Sequence, residues 1–164
     1  MNCVPSMLTH GYSILPSKSV LARIVSVDYG RKRTGLAVTD PLQLIAGGLV
    51  TVPTADLFDW LQAYIAHEEV ELIIIGEPRQ LNGKPSENRD RVQQFVNRWR
   101  NSVPQVPIEF YDERFTSVLA HQTMLDGGLR KKKRQNKALV DEISATILLQ
   151  DYMNSLLYKS RKKG

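Results

Sequence analysis

The residues RIVSVDYGRKRTGLAVTD, at positions 23–40, predict both the start of a β-sheet and the place of its chemistry. Residues 23–27 form a short apolar strand that ends on the carboxylate Asp28, and residues 35–38 form a second strand. The RKRT turn between them is short enough for a hairpin, so we expect antiparallel pairing. Three residues of this turn are cations: Arg31, Lys32 and Arg33. An acid at a strand end beside a basic cluster indicates a polyanionic substrate.

The rest of the chain alternates between strand and helix patterns. Strands are predicted at 23–28, 35–40, 47–52, 72–75 and 108–111, and helices from Thr54, from Ser86, at 116–127 and at 138–157, with Thr54 and Ser86 as N-caps. Short connections predict an antiparallel meander for the first three strands. The continuous apolar run 72–75 is typical of a strand buried on both faces. The last helix is apolar almost all round, so we expect it to be buried against the sheet. This order predicts one α/β domain with a mixed five-stranded sheet flanked by helices.

The composition is that of a basic globular protein. Of 164 residues, 42% are apolar and 24% charged, and 22 Lys and Arg against 17 Asp and Glu give a net charge of +5. A basic balance is compatible with nucleic acid without establishing it. No apolar run approaches the roughly 20 residues of a membrane-spanning helix.

The ends of the chain differ in composition from its middle. Residues 1–20 lack the charged start and apolar centre of a signal peptide, and the single cysteine, Cys3, cannot close an intramolecular disulfide. We therefore expect a disordered extension at 1–20, a folded domain at 21–158, a basic tail at 159–164 and a cytoplasmic protein.

Acidic residues occur at three element boundaries. Asp28 follows the first strand, Asp112 and Glu113 follow the fifth, and Asp141 and Glu142 are predicted in the first turn of the last helix. Carboxylates gathered in this way could hold Mg²⁺, and a pair of ions about 3.5–4 Å apart can activate water and stabilise the leaving oxygen of a phosphodiester.

Each acid also has a structural interpretation. Asp28 could start a turn, and the other acids could complement helix N-termini. The catalytic hypothesis therefore depends on the three positions together.

Basic residues flank two of these acids. Arg31 to Arg33 follow Asp28, and a second cluster precedes the helix of Asp141: Arg130, Lys131, Lys132, Lys133 and Arg134. Such clusters are usually solvated loops, but their positions here predict a rim that binds nucleic-acid phosphates.

Two other kinds of site are excluded by spacing. Residues 76–85 have six residues between the glycines where a P-loop needs four, and Pro85 replaces the Mg²⁺-binding Ser or Thr. The three histidines, His10, His67 and His121, are isolated, which disfavours zinc.

From about Arg23 to Met153 the chain resembles the YqgF family, also called RuvX. Four motifs in order carry the resemblance: VDYGRKRTGLAVTDP at 27–41, IIIGEP at 73–78, YDERFTS at 111–117 and VDEISATILLQ at 140–150. The resemblance implies a ribonuclease-H-like fold, a relation to the Holliday-junction resolvase RuvC, and a nuclease that matures the 5′ end of pre-16S ribosomal RNA.

The family's catalytic acids correspond to Asp28, Glu113 and Asp141. Glu77 stands where many relatives have leucine, and it is a further candidate for the metal site. The resemblance therefore implies an endonuclease that uses Mg²⁺ or Mn²⁺, with the two basic clusters and Arg114 on the nucleic acid.

Three alternatives stay open at the level of sequence. A Holliday-junction resolvase would use the same chemistry on branched DNA and needs a dimer, and the sequence allows a monomer or a homodimer. A non-catalytic nucleic-acid-binding module would keep the acids without cleavage. A sugar-kinase or ATPase lobe shares the Asp-x-Gly pattern, but such proteins need two lobes.

Overall fold

The computed structural model describes residues 21–77, 87–112 and 136–163. Its elements in chain order are β1 (Arg23–Tyr29), β2 (Arg33–Thr39), β3 (Ala46–Pro53), a 3₁₀ turn (Thr54–Asp56), α1 (Leu57–His67), β4 (Val70–Glu77), α2 (Arg89–Ser102), β5 (Ile108–Asp112), α3 (Lys137–Asn154) and α4 (Leu156–Lys163). The predicted N-cap Ser86 and the predicted helix 116–127 lie outside the described residues. Among those residues, no helix is long and apolar enough to cross a membrane.

The strands form one mixed sheet of five strands in the order β3-β2-β1-β4-β5. Strand β2 pairs antiparallel with both β1 and β3, whereas β4 pairs parallel with both β1 and β5. The predicted meander and parallel half are therefore both confirmed. The carboxyl ends of β1, β4 and β5 lie at the same edge of the sheet.

Each face of the sheet has its own hydrophobic core. Helices α1 and α2 cover one face, where Val27 and Ile75 pack with Trp99. Helix α3 covers the other face, where Ile24 and Ile74 pack with Leu148. Residues 72–75 of β4 are fully buried, which confirms the prediction of a strand covered on both sides.

Helix α3 approaches β1 and β2 closely because the sheet carries small side chains there. The Ser26 hydroxyl donates a hydrogen bond of 2.6 Å to the carbonyl oxygen of Ala145. A Cβ atom at Gly35 would lie 2.0 Å from the carbonyl oxygen of Asp141, so only glycine allows this approach. The prediction that the last long helix packs on the sheet is confirmed.

The prediction that Thr54 caps α1 is wrong. Thr54 begins the 3₁₀ turn, and the residue before α1 is Asp56, which makes no capping hydrogen bond with its side chain. The Thr54 hydroxyl instead donates to the Gly30 carbonyl oxygen at 2.8 Å and lies 2.9 Å from the Thr34 hydroxyl. A capping hydroxyl bonds its own helix, whereas this one fastens the β1–β2 turn.

The carboxyl-terminal helical region is divided, where the sequence pattern predicted one helix at 138–157. Helix α3 ends at Asn154, and α4 follows after Ser155. Helix α4 includes residues 159–163 of the predicted basic tail, and Arg161 forms an ion pair with Glu109 at 3.1 Å. The Tyr158 hydroxyl lies 3.2 Å from the side-chain oxygen of Gln43, which attaches α4 to the β2–β3 loop.

Candidate active site

Two of the predicted acids, Asp28 and Asp141, come together across β1, β2 and α3. Asp28 is the residue of β1 that lies directly opposite Gly35 of β2. The backbone of Asp141 packs on Gly35 from above the sheet. Because side chains alternate along a strand, Asp28 shares the α3 face with Ile24 and Ser26. The absence of a side chain at Gly35 therefore brings two carboxylates from distant parts of the sequence to one place.

Asp28 occupies an unfavourable position for a negative charge. Its side chain is half-buried, and among the described residues it forms no hydrogen bond. Burial, and secondly the nearby Asp141 carboxylate, raise the pKa of Asp28 from 3.8 to about 7. A turn-starting aspartate would instead accept hydrogen bonds from the backbone, as Asp40 does from Leu44 and Ile45. The contrast favours a functional role for Asp28.

The Asp141 carboxylate forms an ion pair with an arginine. The Nε of Arg33, the first residue of β2, donates to its carboxylate at 3.0 Å. The predicted phosphate-binding residue Arg33 therefore lies beside the acids, paired with one of them. Glu142, the adjacent acid, lies over Gly48 of β3. Strand β3 is one strand farther from Asp28 than β2, over which Asp141 lies.

The sequence pattern predicted Asp141 in the first turn of its helix, and this prediction is wrong. Helix α3 begins at Lys137, its first turn holds no acid, and the Asn136 side chain caps it by accepting from the Leu139 N–H at 3.3 Å. The favourable effect of a helix N-terminus on an acid fades beyond that turn. The helix-dipole interpretation of Asp141 therefore loses support.

Glu77 and Asp112 end β4 and β5 and are directly opposite each other in register. Ile75 and Phe110 pack in the core under α1 and α2, and residues two positions apart share a face. Glu77 and Asp112 thus belong to the α1/α2 face, opposite to the face of Asp28. Within residues 21–77, 87–112 and 136–163 no cluster of three potential metal ligands occurs.

Several predicted site residues lie outside the described residues. These are Glu113, Arg114, Arg130, Lys131, Lys132, Lys133 and Arg134.

The turn that carries Arg31 and Lys32 is exposed at the edge where Asp28 lies. The Thr54 N–H donates to the Lys32 carbonyl oxygen at 3.0 Å, which fixes the course of this turn. Arg31 also lines a cleft of about 500 Å³ with Glu87, Asn88 and Arg91.

Sequence reasoning missed Asn88 and Arg91. A usable signal existed, because the helix that follows a parallel strand begins at that strand's carboxyl edge. The first turn of α2 therefore lies near the end of β1.

The fold and site together describe a mixed α/β domain with an acid pair beside the end of its central strand. The chain belongs to the RuvX family, whose model is described as "Holliday junction resolvase" and matches residues 22–155. This confirms the resemblance drawn from the four motifs and, with the sheet order, the predicted ribonuclease-H-like fold. It also confirms the predicted class of activity, hydrolysis of phosphodiester bonds.

Similar proteins carry related names. The chain is 61% identical over 138 residues to a protein of Phocaeicola vulgatus named "Putative pre-16S rRNA nuclease", covering 84% of this chain and 99% of that protein. A protein of Bacteroides thetaiotaomicron with the same name is 60% identical and covers 82% of this chain and 98% of its own length. Among solved structures, T. thermophilus RuvC in complex with Holliday junction substrate matches 80% of this chain and 96% of that one, with 17% identity and a TM-score of 0.47.

Proposed function

We propose that this protein is a metal-dependent endonuclease that processes the 5′ end of pre-16S ribosomal RNA in the bacterial cytoplasm. The observation that carries the proposal is the pairing of Asp28 with Asp141 at the edge of the sheet, where burial and mutual repulsion raise the pKa of Asp28. Relatives that match this chain over nearly their whole length are named for that substrate.

The acid pair has the chemistry of a site for a hard divalent cation. Asp28 is half-buried next to a second carboxylate and has no hydrogen-bond donor among the described residues; a bound cation would stabilise such a pair, and Mg²⁺ and Mn²⁺ prefer oxygen ligands. Asp28 and Asp141 would hold the ion. When bound, it would supply Lewis-acid stabilisation of charge on the phosphate and a more acidic water.

Arg33 has a supporting part in this proposal. Its bond to one oxygen of Asp141 orients the carboxylate and leaves the other oxygen for a cation. The exposed Arg31 and Lys32 would contact the phosphates on either side of the scissile bond without reading the sequence.

The faces of the sheet weigh against Glu77 as the third ligand and leave Glu113, the acid that the family resemblance implies. Glu77 belongs to the face opposite to Asp28.

Asp28→Asn tests the assignment directly. We expect it to abolish cleavage of a pre-16S RNA fragment in Mg²⁺ or Mn²⁺, because the amide cannot donate a charged oxygen to the ion. The matched control is Asp59→Asn, which removes an exposed acid of α1 and should cleave normally. Calorimetric titration with Mn²⁺ should show binding to wild type and to Asp59→Asn, with a large loss in Asp28→Asn. An active purified Asp28→Asn protein would refute the assignment.

A Holliday-junction resolvase is the second candidate, favoured by the description of the family model. Cleavage of a synthetic four-way junction and of precursor RNA by one preparation separates the two substrates. Light scattering decides whether the dimer that a resolvase needs is present.

In cells, depletion should leave unprocessed 5′ ends of small-subunit RNA, rescued by wild type but not by Asp28→Asn. Nucleic-acid binding without cleavage over a full Mg²⁺ and Mn²⁺ titration would instead indicate a non-catalytic module.

A further inference from the structure

A second surface with nucleic-acid chemistry extends from the acid pair along helix α2. The cleft that contains Arg31 meets another, of about 310 Å³, which is lined in part by Tyr29, Phe58 and Arg98. Arg91 lines both clefts, so the two clefts adjoin at this residue. We call this surface the α2 groove and define it by Tyr29, Arg31, Asn88, Arg91, Gln94 and Arg98.

The groove begins next to the acid pair. Tyr29 follows Asp28 directly in β1, and the Asn88 side-chain amide donates to the Tyr29 carbonyl oxygen at 2.7 Å, joining the start of α2 to the end of β1. The groove therefore begins at the residue that follows Asp28 in β1.

The polar residues of α2 in the groove lie along one face of the helix. Arg91, Gln94 and Arg98 are exposed and spaced i, i+3 and i+7. Seven residues of helix place the two arginines about 10 Å apart along the axis. Among the described residues that line the two clefts, three are arginines (Arg31, Arg91 and Arg98) and one is acidic (Glu87). This excess of positive charge favours an anionic ligand.

Aromatic rings pack against two of the side chains that form the groove. The guanidinium carbon of Arg98 lies 3.8 Å from the centroid of the buried Phe58 ring, which orients its donors before any ligand arrives. The Tyr29 ring packs on Phe95 with centroids 5.6 Å apart and is half-buried, so part of it borders the cleft. A basic groove bordered by an aromatic ring is the arrangement by which proteins hold single-stranded nucleic acid.

We propose that the α2 groove binds a single-stranded polynucleotide segment next to the scissile phosphate, with backbone phosphates on Arg91 and Arg98 and a base against Tyr29. The inference rests on the proposed nuclease function and extends it, because it gives the direction in which the substrate strand leaves the acid pair. Neither arginine belongs to the two basic clusters of the sequence.

Binding in EDTA tests the groove without cleavage. The probes are short fluorescent uridine RNA and thymidine DNA, with affinity followed by anisotropy over a range of salt concentrations. We expect Arg91→Gln/Arg98→Gln to weaken binding of the RNA about tenfold or more and to lower the salt slope by about 1.4, since each phosphate contact on a single strand contributes about 0.7. The control, Arg89→Gln/Lys159→Gln, removes the same charge from exposed helix positions outside the groove and should keep the wild-type slope.

Two further variants separate phosphate contact from stacking and from folding. Arg98→Lys keeps the charge and should keep the slope, whereas Tyr29→Leu should weaken binding severalfold with the slope unchanged. Circular dichroism melting identifies any variant that fails to fold.

Each outcome bears on the proposal. If Arg91→Gln/Arg98→Gln binds both RNA and DNA more weakly than wild type, the proposal is supported for single strands of either kind. If only RNA binding is weaker, the proposal is supported for RNA. Equal affinities and slopes for the groove double variant and its control overturn it. If the groove binds nucleic acid but the protein does not cleave it, these binding differences remain. If the protein is a nuclease that does not use the groove, the double variant cleaves as wild type does. The two proposals therefore fail separately.

Discussion

Asp28 is a carboxylate in a place that opposes its charge. Burial and the neighbouring Asp141 act in the same direction on its pKa. A carboxylate of this kind lowers the stability of the protein when no metal ion is bound. A bound cation would offset that loss. The folding energy and the proposed chemistry are therefore linked at this residue.

The metal-free protein should lose stability as the pH rises from 3.8 to about 7, the ordinary and the folded pKa of Asp28. The folded pKa of Asp28 is about 7 and the ordinary value 3.8, so between these values the folded state keeps a proton that the unfolded state has released. The stabilisation is complete below the unfolded pKa and is lost as the pH passes the folded pKa, with a slope of up to about 1.4 kcal/mol per pH unit. Urea unfolding in EDTA from pH 4 to pH 8 measures it.

Asp28→Asn should remove this part of the pH dependence, because its amide does not titrate. Asp59→Asn should keep the wild-type profile. Identical profiles for Asp28→Asn and wild type would contradict the assignment.

Gly35→Ala should damage the site without touching an acid. The new Cβ would lie 2.0 Å from the Asp141 carbonyl oxygen, so α3 must move away. We expect a loss of about 1–3 kcal/mol in unfolding free energy and weaker Mn²⁺ binding. Gly47→Ala is the control, because nothing lies within 4 Å of its added Cβ. Equal stability and Mn²⁺ affinity in both variants would show that the close approach is unnecessary.

At the scale of elements, the β1–β2 turn depends on one residue from outside it. Thr54 directly follows β3; its hydroxyl donates to the Gly30 carbonyl oxygen, and its backbone N–H donates to the Lys32 carbonyl oxygen. The turn carries Arg31 and Lys32, so its position determines where these cations meet a substrate.

Thr54→Val should release the turn. The loss of the hydroxyl leaves a carbonyl oxygen with one partner fewer, which costs about 1–2 kcal/mol. RNA affinity in EDTA should fall because the cations lose their fixed position. Thr54→Ser keeps the hydroxyl and should behave as wild type in urea unfolding and in RNA binding; a loss of equal size in the serine variant would point to packing of the methyl group instead.

At the scale of the whole molecule, the sheet separates two cores and also the two surfaces for which we propose a function. Asp28 belongs to the face covered by α3, while the α2 groove begins on the other side of the same strand end. Both surfaces meet where β1 ends, since neighbouring residues of a strand point to opposite faces.

The two cores should contribute comparably to stability. Ile73 packs under α1 and α2 and Ile74 under α3, both fully buried. Replacement of either by alanine should lower the free energy of unfolding by about 2–5 kcal/mol in urea titrations. Ile45→Ala, at a side chain that is 70% exposed, should change it by less than about 0.5 kcal/mol. A near-neutral Ile74→Ala would show that α3 does not cover the sheet tightly.

Local patterns predicted most of the element order, because apolar residues recur at different spacings in strands and in helices. The doubly buried β4 followed from its unbroken apolar run, and the family followed from four motifs. Thr54 was misread because a threonine before a helix looks the same whether it bonds that helix or a turn distant in sequence. The boundary at Ser155 was missed because the apolar pattern continues through it.

The sequence by itself determined the family, the candidate acids and the order of most of the elements that carry them. Only the tertiary structure decided that Asp141 rests on Gly35 beside Asp28, that Arg33 pairs with an acid, that Glu77 belongs to the other face, and that Arg91 and Arg98 line clefts on one face of α2. The reason is physical: a period reports which face of its own element a residue occupies, whereas distances between remote elements depend on how their surfaces pack.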